Sequence, residues 1–239
     1  MSTSEAYFRT KLYPLQDGIL DIVQRSGTPF YLTGGTALSR GRYEHRFSED
    51  LDLFVDNDPS YAAHVDTLFA LLKSAERSGG FLLDTDRLRR SEWHTQLWVS
   101  REDGEVVDLK IDLVNDTGPH AGAPEIVPGL GRTDNWQNIL ANKVAAIFRY
   151  EPKDAADIWI ISRREVFHWR EVFSNASAKE GGVDPVAVHD ILRGIPEDEL
   201  ARVIWAAPAD LSAVRADLRT AAEDILYGRA NSLSTARGG

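Results

Sequence analysis

The sequence predicts a mixed α/β fold that gives way to an all-helical second half. Three observations carry this prediction. Between residues 30 and 114, short apolar runs alternate with polar residues and are separated by turn-forming sequences. Residues 116–134 are rich in glycine and proline and read as a long loop or linker. From Trp136 onward, apolar side chains recur at helical intervals.

The elements follow in order. Leu12, Leu15, Ile19, Leu20 and Val23 predict a helix over 8–26, with Pro14 in its first turn, where a missing N–H costs little. Gly27 and Pro29 end it, and PFYLTGG reads as a short strand entering a glycine turn, with a short helix over 36–42. Leu51 to Val55 is a strand. Asn57-Asp58-Pro59-Ser60 turns into a helix over 61–77, closed by Gly79-Gly80. Three strands follow: Phe81 to Leu83, Thr95 to Ser100 and Val106 to Val114. The last two are joined by Arg101-Glu102-Asp103-Gly104, whose Asp-Gly signals a hairpin. The second half reads as helices over Trp136–Tyr150, Asp154–Arg164, Val183–Gly194, Glu197–Ala206 and Leu211–Tyr227. The small, polar tail from Ala230 to Gly239 reads as frayed. The expected division is a core over 1–130 and a helical domain over 131–239.

Composition narrows the function classes. The chain has 239 residues, 43% of them apolar and 27% charged, enough for a sizeable core. It has no cysteine, which excludes disulfides and thiolate metal sites and fits a reducing compartment. The first residues, MSTSEAYFRTKLYP, lack the apolar run of a secretory signal, and no run is long enough to span a bilayer, so a cytoplasmic protein without membrane contact is expected. The formal net charge of −10 argues against non-specific nucleic-acid binding, which depends on a basic surplus.

The chemistry gathers in a few short stretches. On a strand, Asp50 and Asp52 share one face while Leu51, Leu53 and Val55 point into the core. Two carboxylates on one face repel unless a cation sits between them, and hard oxygen ligands suit Mg²⁺ or Mn²⁺. Taken alone, the pattern equally describes two aspartates facing water. The strand from Val106 to Val114 has a polar face of Asp108, Lys110 and Asp112, so Asp112, with Asp108 as runner-up, is the candidate third carboxylate. The alternative there is a solvated face with a Lys–Asp cross-strand pair. Gly34-Gly35-Thr36 follows a strand and opens a helix. This suits either close approach to a phosphate or an ordinary tight turn, and it is neither a Walker A motif nor a dinucleotide fingerprint. The tryptophans at 93, 98, 136, 159, 169 and 205 read as core or helix-packing residues rather than a base-stacking platform.

Gly34-Gly35-Thr36-Ala37-Leu38, followed by His45-Arg46-x-Ser48-x-Asp50-Leu51-Asp52-Leu53-Phe54, resembles the AbiEii/AbiGii toxin group of the nucleotidyltransferases with a DNA polymerase β-like core. Asn142-Lys143 and Lys153-Asp154-x-x-Asp157 resemble that group's helical motif, so the likeness spans roughly residues 30–160. The resemblance implies a mixed-sheet nucleotidyltransferase core followed by a helical bundle. It also implies an enzyme that moves a nucleoside monophosphate from an NTP to an acceptor. Asp50, Asp52 and Asp112 would hold Mg²⁺ or Mn²⁺, with Asp112 helping to deprotonate the acceptor. Gly34, Gly35, Thr36, Arg46 and Lys143 would meet the nucleotide's phosphates, and Asp154 and Asp157 would belong to the nucleotide-binding cleft, positioning Lys143 or the acceptor. Without the resemblance, Lys143 reads as a solvated lysine, Asp154 as a helix-start residue, and Arg46 as a pin for the loop before the strand.

The leading expectation is therefore a toxin of a toxin–antitoxin or phage-defence pair, with a cognate antitoxin as partner. Its acceptor is a tRNA 3′ end or a protein hydroxyl. Basic clusters at Lys73, Arg77, Arg87, Arg89 and Arg90, and at Arg163, Arg164 and Arg170, are the candidate RNA contacts. The alternatives are a nucleotidyltransferase for a small cationic, aminoglycoside-like acceptor, which the acidic charge suits, and a non-catalytic nucleotide-binding module.

Overall fold

The computed structural model describes residues 3–234, so the part of the expected frayed tail over 235–239 lies outside the described residues. The chain forms two units. One comprises the residues up to Thr117 together with Ala123–Asp134. The other comprises Gly118–Gly122 and the chain from Asn135 onward.

The first unit opens with α1 (Thr3–Tyr7), which runs through a π-helical turn over Phe8–Leu12 into α2 (Tyr13–Arg25). Pro14 lies in the first turn of α2, as its missing N–H predicts. Leu12, Leu15, Ile19, Leu20 and Val23 are all buried. Gly27, at φ +68°, takes the left-handed turn that releases the chain into β1 (Tyr31–Thr33). Then come α3 (Gly34–Leu38), a second π-helical turn over Ser39–Tyr43, and β2 (Leu51–Asp56). Helix α4 (Tyr61–Gly79) buries Tyr61, Val65, Leu68 and Leu72, one stripe at helical spacing. Strands β3 (Leu82–Leu83), β4 (Arg89–Arg90), β5 (His94–Glu102) and β6 (Val106–Asp116) follow. The β5–β6 hairpin forms at the expected place, with Gly104 at φ +71° in its turn.

The stretch over 116–134 departs from expectation. It contains two strands, β7 (Glu125–Val127) and β8 (Gly131–Thr133). Each has only three residues, too few to show an alternation, and β8 gains its pairing from β1, parallel to it and far away in sequence. The sheet order is β3-β5-β6-β2-β1-β8-β7, with β4 added to β5, and β2 runs parallel to β6. The open mixed sheet is the expected α/β core. One face is apolar: Leu51, Leu53, Leu97, Val99, Leu109, Ile111 and Leu113 are all essentially inaccessible. Tyr61 of α4 fastens the helix to this face, its hydroxyl donating to Leu113 O at 2.8 Å.

The second unit is helical. Its elements are α5 (Trp136–Ala146), α6 (Pro152–Arg164), α7 (Trp169–Lys179), α8 (Pro185–Gly194), α9 (Glu197–Leu200) and α10 (Leu211–Leu226), with a 3₁₀ turn over Ile147–Arg149. Asn135 caps α5 by accepting from Asn138 N at 2.9 Å, and Asp184 and Asp210 cap α8 and α10 in the same way. Helix α7, absent from the sequence reading, is organised around Trp169, which is fully buried. The helix expected over Glu197–Ala206 stops at Leu200.

The end of the described chain is pinned rather than frayed. Ala230 bridges to His168, and the buried Asn231 donates from Nδ2 to Ser162 O (2.7 Å) and Glu165 O (2.9 Å). The core reading of the tryptophans fails at Trp93, which is 45% exposed, and at Trp98, which lies on the polar sheet face beneath the Arg87 guanidinium.

Candidate active site

The polar face of the sheet carries the candidate site of the first unit. In-register neighbours in a sheet project to the same side, so the pairing Asp52↔Asp112 puts these carboxylates on one face of adjacent parallel strands. Asp50 lies just before β2, and its carboxylate meets the same lysine, Lys110, as that of Asp112. Asp112, not Asp108, is thus the residue beside Asp52, and the Asp108 carboxylate meets Arg87 at 3.1 Å.

A lysine joins the acidic residues. Lys110 Nζ lies 3.1 Å from Asp50 Oδ2 and 3.2 Å from Asp112 Oδ2. The other oxygen of Asp112 meets His94 Nε2 at 2.9 Å and Gln96 Nε2 at 3.1 Å. Burial pushes the Asp112 carboxyl upward, but these contacts outweigh it and hold it below the usual carboxylate range. Burial pulls the Lys110 ammonium downward, but Asp50 and Asp112 outweigh that and hold it above the usual lysine value, so it stays charged.

The glycine turn stands against this face. Gly34 has φ +68°, and a Cβ there would lie 2.2 Å from Asp52 Oδ2. Two independent requirements therefore select glycine: the left-handed backbone and the carboxylate beside it. A Cβ on Gly35 would lie 2.2 Å from Arg46 Nη2 and 2.9 Å from Ser48 Oγ. Both glycines make room for side chains of this chain. Thr36 is fully buried and its hydroxyl donates to Asp50 O at 2.5 Å, so it positions Asp50. Arg46 is buried and donates to Phe47 O at 3.0 Å, which is the loop-pinning arrangement.

Further groups hold the approach to β2. Ser39 Oγ donates to Arg46 O. Gln16, fully buried in α2, donates to Ser48 O at 3.1 Å and accepts from Arg40 Nη1 at 3.0 Å. Thr33 Oγ1 donates to Asp134 Oδ2 at 2.6 Å. The sequence reading missed Gln16, His94, Gln96 and Asp134 as site-builders. Only the alternation along β5 hinted at His94 and Gln96; the others are long-range contacts without a local signature.

The donor chemistry fits a hard divalent cation. Asp50, Asp52 and Asp112 offer carboxylate oxygens only, and the Lys110 ammonium already places a positive charge between two of them. Among the described residues, no three acidic or imidazole groups form a ready-made metal cage. Mg²⁺ does not require one, since it is commonly held by one or two carboxylates together with substrate phosphates and water.

In the second unit, Lys143 is buried, and its Nζ lies 2.7 Å from Asp154 Oδ1 and 2.8 Å from Asp157 Oδ2. Both carboxylates are fully buried, and Arg149 Nη2 adds a contact of 3.1 Å to Asp154 Oδ2. The i, i+3 spacing of the aspartates on α6 sets them on one side of the helix, where they share the lysine. The solvated reading of Lys143 does not hold. Four of the eight basic residues weighed as RNA contacts are ion-paired: Lys73 with Glu76, Arg87 with Asp84 and Asp108, Arg90 with Asp66, and Arg163 with Asp217.

The fold is shared with known structures. JHP933 from Helicobacter pylori matches at 21% identity and a TM-score of 0.61, over 95% of this chain and 94% of its own. MenT4, a nucleotidyltransferase toxin from Mycobacterium tuberculosis, matches at 18% identity and a TM-score of 0.63, over 93% and 87%. These likenesses establish the fold. Among curated proteins no relative matches.

The family model described as nucleotidyl transferase AbiEii toxin, type IV TA system, matches residues 20–236, and the chain belongs to this family. It is a nucleotidyltransferase toxin of the type IV toxin–antitoxin class, which sets aside the reading as a non-catalytic module. Among the described residues, no helix is long and apolar enough to cross a membrane.

Proposed function

We propose that the chain transfers a nucleoside monophosphate from an NTP to the 3′ end of a tRNA in a Mg²⁺-dependent reaction, as a toxin countered by a cognate antitoxin. The observation that carries the reading is the in-register pair Asp52↔Asp112, with Asp50 beside it and the Gly34 turn against it. Asp50 and Asp52 are the residues to hold the cation, with Asp112 as the third carboxylate. A divalent cation held there would supply charge neutralisation for the triphosphate and a more acidic acceptor hydroxyl.

The chain's own residues do the rest. Asp112, oriented by His94 and Gln96, receives the acceptor's proton. Thr36 and Gly34 keep Asp50 and Asp52 in place. The backbone of the Gly34-Gly35 turn is offered to the phosphates. Lys143, held by Asp154 and Asp157, is the candidate counter-charge for the leaving pyrophosphate. Arg46, Thr36 and the two helix aspartates then serve the nucleotide by positioning other groups.

A second acceptor class has an observation in its favour. Half of the residues in the basic clusters are ion-paired and the net charge is −10, which suits a small cationic acceptor. The test is label transfer from each of four α-³²P NTPs, with and without Mg²⁺, into total RNA, total protein and an aminoglycoside mixture. Asp50→Asn and Asp52→Asn run beside the wild type. Label in small RNA that is lost in both variants and in EDTA supports the tRNA reading and names the nucleotide. Label confined to protein or to the aminoglycoside overturns the tRNA acceptor, and label that survives EDTA overturns the metal.

A further inference from the structure

We infer that Lys110 is a built-in counter-ion of the site: its ammonium holds the place between Asp50 and Asp112 that a divalent cation needs, and it withdraws from both carboxylates when that cation binds. The inference rests on reading Asp50, Asp52 and Asp112 as the metal-holding face.

Three observations carry it. First, one ammonium stands within 3.2 Å of carboxylates from two strands, Asp50 Oδ2 at 3.1 Å and Asp112 Oδ2 at 3.2 Å. Carboxylates brought this close need a positive charge between them, and with Lys110 in place the chain satisfies that need by itself. Second, the remaining Asp112 oxygen is taken by His94 and Gln96, so the oxygen facing Asp50 is the one Lys110 holds. A divalent cation held by Asp50 and Asp112 would therefore compete with Lys110 for these oxygens. Third, the Lys110 side chain is 26% exposed, and a lysine is a compact charge on a flexible four-carbon stem with room to swing toward water. The same carboxylate face is thus held together without metal and opens to it only in competition with the lysine.

The test measures Mn²⁺ binding to the full chain by the electron paramagnetic resonance of free Mn²⁺, without nucleotide. The proteins compared are wild type, Lys110→Met, Lys110→Gln, Lys110→Arg and Asp50→Asn. Methionine and glutamine keep much of the stem and remove the charge; arginine keeps the charge. Circular dichroism confirms that each variant is folded.

The expected result is Mn²⁺ binding on the order of tenfold tighter in Lys110→Met and Lys110→Gln than in wild type, as for loss of one competing unit charge at this range. Lys110→Arg should stay near wild type and Asp50→Asn should bind far more weakly. A given Mn²⁺ concentration should also raise Tm more in Lys110→Met than in wild type. Equal or weaker Mn²⁺ binding in both neutral variants, with binding still dependent on Asp50, overturns the role of Lys110 alone. Mn²⁺ binding that is absent, or indifferent to Asp50, in every protein overturns the metal-holding reading and this inference with it.

Discussion

Replacing Gly34 with alanine separates a backbone requirement from a steric one at the site. Gly34 sits at φ +68°, where an L-residue costs about 1–2 kcal/mol. The new Cβ would also stand 2.2 Å from Asp52 Oδ2 and 3.0 Å from Asp52 Cγ. Relief to ordinary van der Waals contact requires the carboxylate to move by about 1 Å. A displacement of that size at a reacting centre costs on the order of 10²-fold in rate. Gly80→Ala provides the control. Gly80 has φ +66° at the end of α4, but nothing lies within 4 Å of its would-be Cβ. Both variants should lose about 1–2 kcal/mol in urea unfolding, with Gly34→Ala losing somewhat more as Asp52 leaves its rotamer. Only Gly34→Ala should lose label transfer, by roughly 100-fold. If Gly34→Ala transfers label at the wild-type rate, Asp52 is not needed where the structure places it, and the reasoning about the turn fails.

Other consequences are accessible to the same assays. Lys143→Met leaves Asp154 and Asp157 fully buried without their shared ammonium, and should cost about 3–5 kcal/mol in urea unfolding; a loss below about 1 kcal/mol would contradict the buried network. Gln16→Leu strips the buried donor from Ser48 O and the acceptor from Arg40, and should cost about 1–3 kcal/mol while slowing label transfer through a loosened Asp50 approach. For Asp112, burial raises the carboxyl but His94, Gln96 and Lys110 outweigh it, so the folded-state pKa is depressed. Its stabilisation is then present above the ordinary carboxylate pKa of about 3.9 and lost as pH falls through the folded value. Below about pH 4, wild type should lose stability more steeply than Asp112→Asn, as followed by the midpoint of thermal unfolding.

Local periodicity determined much of this molecule in advance. Leu51, Leu53 and Val55 alternate with Asp50, Asp52 and Phe54, so the strand and its two-sidedness are written in six consecutive residues. The same holds for the Asp-Gly hairpin between β5 and β6, and for Pro14, whose missing N–H marks the start of α2. The order of glycine turn, Asp-x-Asp strand and helical lysine motif was enough to suggest the family. Tertiary structure decided whatever depends on which strand lies beside which. That Asp112 rather than Asp108 lies beside Asp52 follows from the register between β2 and β6, which pairs residues sixty apart in the chain in parallel. Strand β8 is a strand because β1 offers an edge, and β7 because β8 does, their three residues each carrying no pattern of their own. Lys110 between two carboxylates, Thr36 on Asp50 O and Gly34 against Asp52 are likewise relations across the fold. The reason is the range of the forces involved. Backbone sterics and hydrophobic alternation act over a few residues and can be read along the chain. Hydrogen bonds, ion pairs and close contacts act between whatever atoms the folded sheet brings within a few ångströms, and sequence distance does not measure that separation.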